Sequence, residues 1–157
     1  MKILVVPVGH VRGPLDAPVE EYERRAARYW RLEVSPVEAG APGRAAAPER
    51  VMAAEGERIL ARVPEGFTLV ALTRAGKAMG SRELATLLES EAVRSAPGVA
   101  FVLGGAFGLS PRILDRARHR WSLSALTLPH EMARLVLAEQ LYRAGTILRG
   151  EPYHKGA

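Results

Sequence analysis

Two short runs, residues 3–8 and 99–103, contain no charged or hydrogen-bonding side chain. They constrain the chain more than any other feature. A strand that is apolar at every position has no face to give to water, so both sides of its sheet must be covered. Between these runs lie longer stretches with helical spacing. Residues 18–31 place Val19, Tyr22, Ala26 and Tyr29 among charges, and residues 49–62 form a second such segment. A third helix is expected to open on Ser81 as its N-cap. A fourth begins at Ser110-Pro111, with proline at its favoured first position. A fifth covers residues 130–148 and carries a stripe of Met132, Leu135, Val136, Leu137, Leu141 and Ile147. Residues 32–37, 67–72 and 121–126 read as further strands, Pro36 marking a strand end. Residues 39–48, rich in Gly, Pro and Ala, read as a surface loop.

This alternation predicts an α/β domain: a mainly parallel sheet of five strands, covered by helices on both faces. With 157 residues, the chain is expected to form a single domain. Ligands of such sheets sit at the carboxyl ends of the strands.

Composition removes several chemistries. There is no cysteine, hence no disulfide, thiolate–metal centre or thiol nucleophile. His10, His119, His130 and His154 have no metal-ligand spacing, so no metal is expected. Neither a G-x-S-x-G elbow nor a P-loop occurs. No apolar run approaches the roughly 20 residues of a spanning helix, and the N-terminus reads straight into a strand. No membrane association is expected, and the composition fits a cytoplasmic protein. The formal charge is +5, with lysine only at Lys2, Lys77 and Lys155. An arginine-rich surface suits phosphate and base contacts. Adaptation to heat or codon bias accounts for it more simply.

Two stretches are candidates for the ligand site. The turn after the first strand, Gly9 to Gly13, lacks the dinucleotide pattern G-x-G-x-x-G. Glycines cluster instead after the fourth strand, in Gly104-Gly105-Ala106-Phe107-Gly108, where backbone can approach a ligand closely or simply turn. Residues 121–130 then set Ser122, Ser124, Thr127 and His130 among apolar side chains. They suit either a partly apolar ligand or a half-buried strand leading into a helix. The ending Pro152-Tyr153-His154-Lys155 is either a frayed terminus or a functional tail that docks over a base.

Taken together, Gly104-Gly105-x-x-Gly108-Leu109-Ser110, residues 121–130, Ala138-Glu139-Gln140-Leu141-Tyr142-Arg143-Ala144 and Pro152-Tyr153-His154 closely resemble the RlmH family. Glu55-Gly56-Glu57 and Leu72-x-x-x-Gly76-Lys77 extend the resemblance over the whole chain. These are small SPOUT-class enzymes that methylate N3 of a pseudouridine in 23S ribosomal RNA. The resemblance implies a deep C-terminal trefoil knot, which general topology rules would argue against. It implies S-adenosylmethionine as cofactor, with Leu72 at the adenine pocket and Gly104 and Gly105 against the ligand. Leu123, Ser124, Ala125, Leu126, Thr127 and Leu128 would contribute backbone hydrogen bonds and flanking contacts. For the reaction itself it points to His154, Tyr153, Arg143 and His130. It also implies a homodimer with a composite active site, one subunit's knot facing the other's tail (residues 152–157), and 23S rRNA within the ribosome as partner. Two departures stand out. The loop from Gly40 to Ala46 carries one cation, Arg44, where relatives carry a Gly/Lys-rich loop. Ala106-Phe107 replaces the proline and polar residue that relatives often have. A non-catalytic RNA-binding or ribosome-assembly module is the alternative reading.

Overall fold

A computed structural model of the chain describes residues 1–43 and 45–156; the single loop cation Arg44, and Ala157 at the tail's end, lie outside the described residues. The strands are β1 (Lys2–Pro7), β2 (Arg31–Val34), β3 (Thr68–Ala78), β4 (Gly98–Leu103) and β5 (His119–Ser122). The helices are α1 (Asp16–Ala26), α2 (Pro48–Arg62), α3 (Ser81–Val93), α4 (Pro111–Arg116) and α5 (His130–Leu148). Short 3-10 turns occupy Gly13–Leu15 and Pro152–His154. The five strands form one sheet in the order β2-β1-β4-β3-β5, and every neighbouring pair is parallel.

The two apolar runs occupy the sheet interior, as a strand without a polar face must. Every residue of β4 is buried. Ile3, Val5, Phe101 and Val99 point into one core with Leu84 and Leu88 of α3 and Leu137 and Leu141 of α5. Leu4, Val6, Ala100 and Val102 point the other way, to Ile59 of α2 and Ile113 of α4. Thus α1, α3 and α5 cover one face, and α2 and α4 the other. Phe101 meets Trp121 edge-on, with ring centroids 6.2 Å apart.

Several boundaries differ from the sequence expectation, each for a tertiary reason. The first helix ends at Ala26 rather than residue 31. Tyr29 and Trp30 leave it to reach α5, where Trp30 Nε1 donates to the Leu141 carbonyl at 2.8 Å. The second strand stops at Val34, because Pro36 has no N–H for the ladder; only Val37 bridges again, to Val8. β3 runs on to Ala78, but its pairing with β5 shifts between Leu72 and Lys77, so residues 73–76 bulge out of the ladder. The N-cap of α3 is Gly80, whose N–H donates to Glu83 Oε2 at 2.7 Å; Ser81 turns instead toward Gln140 Oε1. β5 ends at Ser122 rather than 126. The hydroxyl of Ser122 donates to the Ser124 carbonyl at 2.9 Å, and the Leu126 N–H donates to Ser124 Oγ, curling the chain into a turn.

Helix α5 buries Leu137, Ala138, Leu141 and Ala144 against the sheet. Met132 is exposed and Leu135 and Val136 are half-buried, so the expected apolar stripe splits into a core face and an uncovered one. Arg134 ties α5 to α1, its Nε donating to Glu23 Oε1 at 2.8 Å. Beyond α5, Tyr29 Oη donates to Glu151, and this bond, with burial and the carboxylate charge, pushes the phenol up to about 12. Because the folded value lies above the unfolded one near 10, this bond's stabilisation is complete below about pH 10 and lost as pH rises through about 12. Tyr29→Phe should therefore flatten the fall of thermal stability over that alkaline window. Melting curves of both proteins across it are the check.

Candidate active site

The carboxyl ends of β1, β4, β3 and β5 converge on a cleft of about 800 Å³. Val8 and Gly9 form one wall, the glycine turn after β4 the floor, the β3 bulge at Leu72 to Arg74 another wall, and residues 123–124 and 126–130 the roof. The position is the one parallel sheets reserve for ligands.

The glycine turn is built so tightly that no side chain fits at its base. A Cβ on Gly104 would lie 2.5 Å from the Gly108 carbonyl carbon and 2.8 Å from its oxygen. A Cβ on Gly105 would lie 2.9 Å from Glu55 Oε1 and 3.0 Å from Val8 Cγ1. Gly108 itself has a φ of 82°, and its N–H donates to the Gly105 carbonyl at 3.1 Å. The floor is therefore main chain with free access from the cleft side, the surface that a flat heteroaromatic ring or a polar ligand tail can approach most closely.

Of the residues expected at the cofactor, Leu72, Gly104, Gly105, Leu123, Ser124, Leu126, Thr127 and Leu128 all line this one cleft. Ala125 does not; it lies exposed on the outside of the turn. His130 lines the cleft from the first residue of α5, with its Nε2 3.4 Å from Glu131 Oε1. Sequence reasoning passed over two further residues. Arg74, from the β3 bulge, donates to Thr127 Oγ1 and so latches the roof to the wall. Phe107 stands half-exposed in the cleft lining, which also includes the strongly exposed Leu126. An arginine inside an apolar-to-glycine strand end was the available signal for the first, and an aromatic within the glycine turn for the second.

The remaining three residues lie elsewhere. Arg143 Nε and Nη2 donate to Glu139 Oε1 at 2.9 and 2.6 Å, and Tyr153 Oη donates to the same oxygen at 3.0 Å. The Tyr153 ring packs on Tyr142 with centroids 4.4 Å apart, and the Arg143 guanidinium lies 4.9 Å from its centroid. Burial, Tyr22 and the Glu139 carboxylate raise the Tyr153 phenol well above its ordinary value. The bonds to Glu139 raise Arg143 further still and fix its charge. His154 Nδ1 is buried without a partner among the described residues. None of these side chains lines the chain's own cleft.

A family model described as "Predicted SPOUT methyltransferase" matches residues 1–154. The chain belongs to the SPOUT methyltransferase family. Among its SPOUT relatives, the ribosomal RNA large subunit methyltransferase H of Gemmatimonas aurantiaca is 48% identical over 157 residues, covering 99% of this chain and 100% of that protein. The protein of the same name from Rubrobacter xylanophilus is 47% identical, with 96% of each chain covered. That from Acetivibrio thermocellus is 40% identical, covering 99% of this chain and 100% of its own. Among solved structures, a Legionella pneumophila protein described as a methyltransferase with bound SAM overlaps 92% of this chain and 66% of its own, at 13% identity and a TM-score of 0.49. No helix among the described residues is long and apolar enough to cross a membrane.

Proposed function

We propose that this chain transfers a methyl group from S-adenosylmethionine to N3 of a pseudouridine in 23S rRNA of the large ribosomal subunit. The observation that carries the reading is full-length identity of 48% to a ribosomal RNA large subunit methyltransferase H. The gathering of eight expected cofactor residues around one cleft supports it.

The cleft suits the cofactor by its chemistry. Adenine needs an apolar slot with main-chain donors and acceptors at its edge, and Leu72, Leu123 and Leu128 flank such backbone. Gly104 and Gly105 leave the floor open where any Cβ would collide. When bound, S-adenosylmethionine supplies an electrophilic methyl group on a sulfonium. The chain's own task is largely positioning, since an in-line displacement gains most from holding the reacting atoms in register. The imide N3 carries a proton in the ground state, and its loss exposes the lone pair that attacks. His154, with an unpartnered ring nitrogen, is assigned the proton; Arg143 stabilises the negative charge left on the base. Tyr153, held protonated, positions the base rather than deprotonating it. His130, at the cleft's edge, is the second group able to accept the proton.

These groups come together only if a second copy contributes its tail. The uncovered face of α5, with Met132, Leu135 and Val136, offers an apolar surface for a homodimer, and residues 152–157 of one copy would then meet the cleft of the other. The unit is one SPOUT domain over residues 1–157, with the family's knot built from the glycine turn after β4 and residues 121–130. It works on ribosomes in the cytoplasm.

Labelled S-adenosylmethionine, incubated with the protein and ribosomes from a strain lacking the gene, tests the reading. Methyl transfer to 23S rRNA, with N3-methylpseudouridine found by mass spectrometry, is the expected result. Ribosome binding without transfer would replace this reading with an assembly module.

A further inference from the structure

Glu55, on the inner face of α2, is only 3% exposed, yet the two oxygens of its carboxylate are unequally satisfied. Oε2 accepts the Gly40 backbone N–H at 2.8 Å. Oε1 is buried and has no hydrogen-bond partner among the described residues. Arg58, one helical turn on, directs Nη1 at the carbonyls of Glu38 and Gly40, at 2.8 and 2.7 Å. Helix α2 thus clasps the 38–40 turn, whose Ala39 lines the cleft, from both its N–H and its C=O side. The clasp explains Oε2. It leaves Oε1 without a hydrogen-bond partner among the described residues, and a half-satisfied buried carboxylate costs stability that an apolar side chain would not.

Gly105 shows where that charge is directed. The missing Cβ of Gly105 would fall 2.9 Å from Oε1 and 3.0 Å from Oε2, so the carboxylate packs against the α-carbon of a residue that itself lines the cleft. At that point backbone alone separates a negative charge from the ligand space. Charges in a partly desolvated site attract or repel through such a distance with measurable effect, even at the higher effective dielectric of real proteins.

We propose that Glu55 sets the charge preference of the cleft, favouring a cationic sulfonium over the neutral thioether that remains after methyl transfer. The inference rests on reading the cleft as the S-adenosylmethionine site. Its consequence is selective: the donor is held by an attraction that vanishes with the methyl group, so the product leaves more readily than shape alone would allow.

Calorimetric affinities for S-adenosylmethionine and S-adenosylhomocysteine separate this role from a structural one. Glu55→Gln keeps an acceptor for Gly40 and removes the charge, and the preference for sulfonium over thioether should fall by about threefold to tenfold. Glu55→Ala, a second neutral variant should the first not fold, loses the Gly40 tie as well but should shift the ratio in the same sense. Glu55→Asp keeps the charge and should retain the wild-type ratio within about twofold. Equal weakening of both ligands in the neutral variants would overturn the proposal and leave Glu55 as a clasp only. A wild-type protein that binds neither compound would instead overturn the cofactor reading itself.

Discussion

Gly104→Ala is expected to abolish detectable S-adenosylmethionine binding while leaving a folded protein. The added methyl group would meet backbone, not a side chain: the Gly108 carbonyl carbon at 2.5 Å and its α-carbon at 2.9 Å. A flexible side chain could swing aside, but this backbone closes the turn through the Gly105–Gly108 bridge. On its other side, β4 is locked in register with both β1 and β3 up to Leu103. The strand cannot shift, so the turn must open, and the cleft floor moves with it. Overpacking of this kind costs about 1–3 kcal/mol, which an ordinary domain survives. Binding, which needs the floor within a fraction of an ångström, does not survive it. Gly108→Ala is the contrast. Its φ of 82° penalises alanine by about 1–2 kcal/mol, but nothing lies within 4 Å of the new methyl group. It should destabilise comparably and bind far better. Calorimetry and thermal melts on both variants decide the point; Gly104→Ala binding within about threefold of wild type would remove the glycine turn from the site.

The contrast between those two glycines also shows what could be read from the residues. That Gly104 and Gly105 permit close approach is legible, because only glycine offers it. Which atoms approach is not: Glu55 arrives from α2 and Gly108 from the turn itself, and no local pattern announces either. The sheet was legible for a related reason. Residues buried on both faces show no alternation, and β1 and β4 therefore stand out. Strand ends were not, since they depend on partners. β3 continues past its bulge only because β5 re-pairs at Lys77 and Ala78, and β5 stops at Ser122 because Ser124 offers a local acceptor. Helix α5 matches its expected bounds, but periodicity alone could not divide its apolar residues between the core and the uncovered face. The tail was visible as an odd collection of groups, while its docking on Tyr142 and Glu139 required coordinates.

Removal of residues 152–157 should lower methyl transfer to ribosomes by more than about 100-fold and change S-adenosylmethionine affinity by less than about twofold. The second half follows from the cleft, to which no described tail residue contributes. Structural damage should be limited. The truncated chain keeps Glu151 and its bond from Tyr29, and loses the Tyr153–Tyr142 ring contact, the Tyr153 hydrogen bond to Glu139 and the Arg143 contact with the Tyr153 ring, each worth about 0.5–1.5 kcal/mol. A loss of transfer alone would leave open whether the tail serves its own cleft or that of a second copy, and a mixture resolves it. A truncated subunit has an intact cleft, and a Gly104→Ala subunit has an intact tail. If the tail acts across the dimer, a mixed dimer contains one complete site, and random pairing in equal amounts restores about a quarter of wild-type activity. If the tail acts on its own cleft, neither subunit has a complete site in any pairing, and the mixture stays inactive. Each chain is inactive alone in both cases, so recovered activity can come only from a site assembled from two copies.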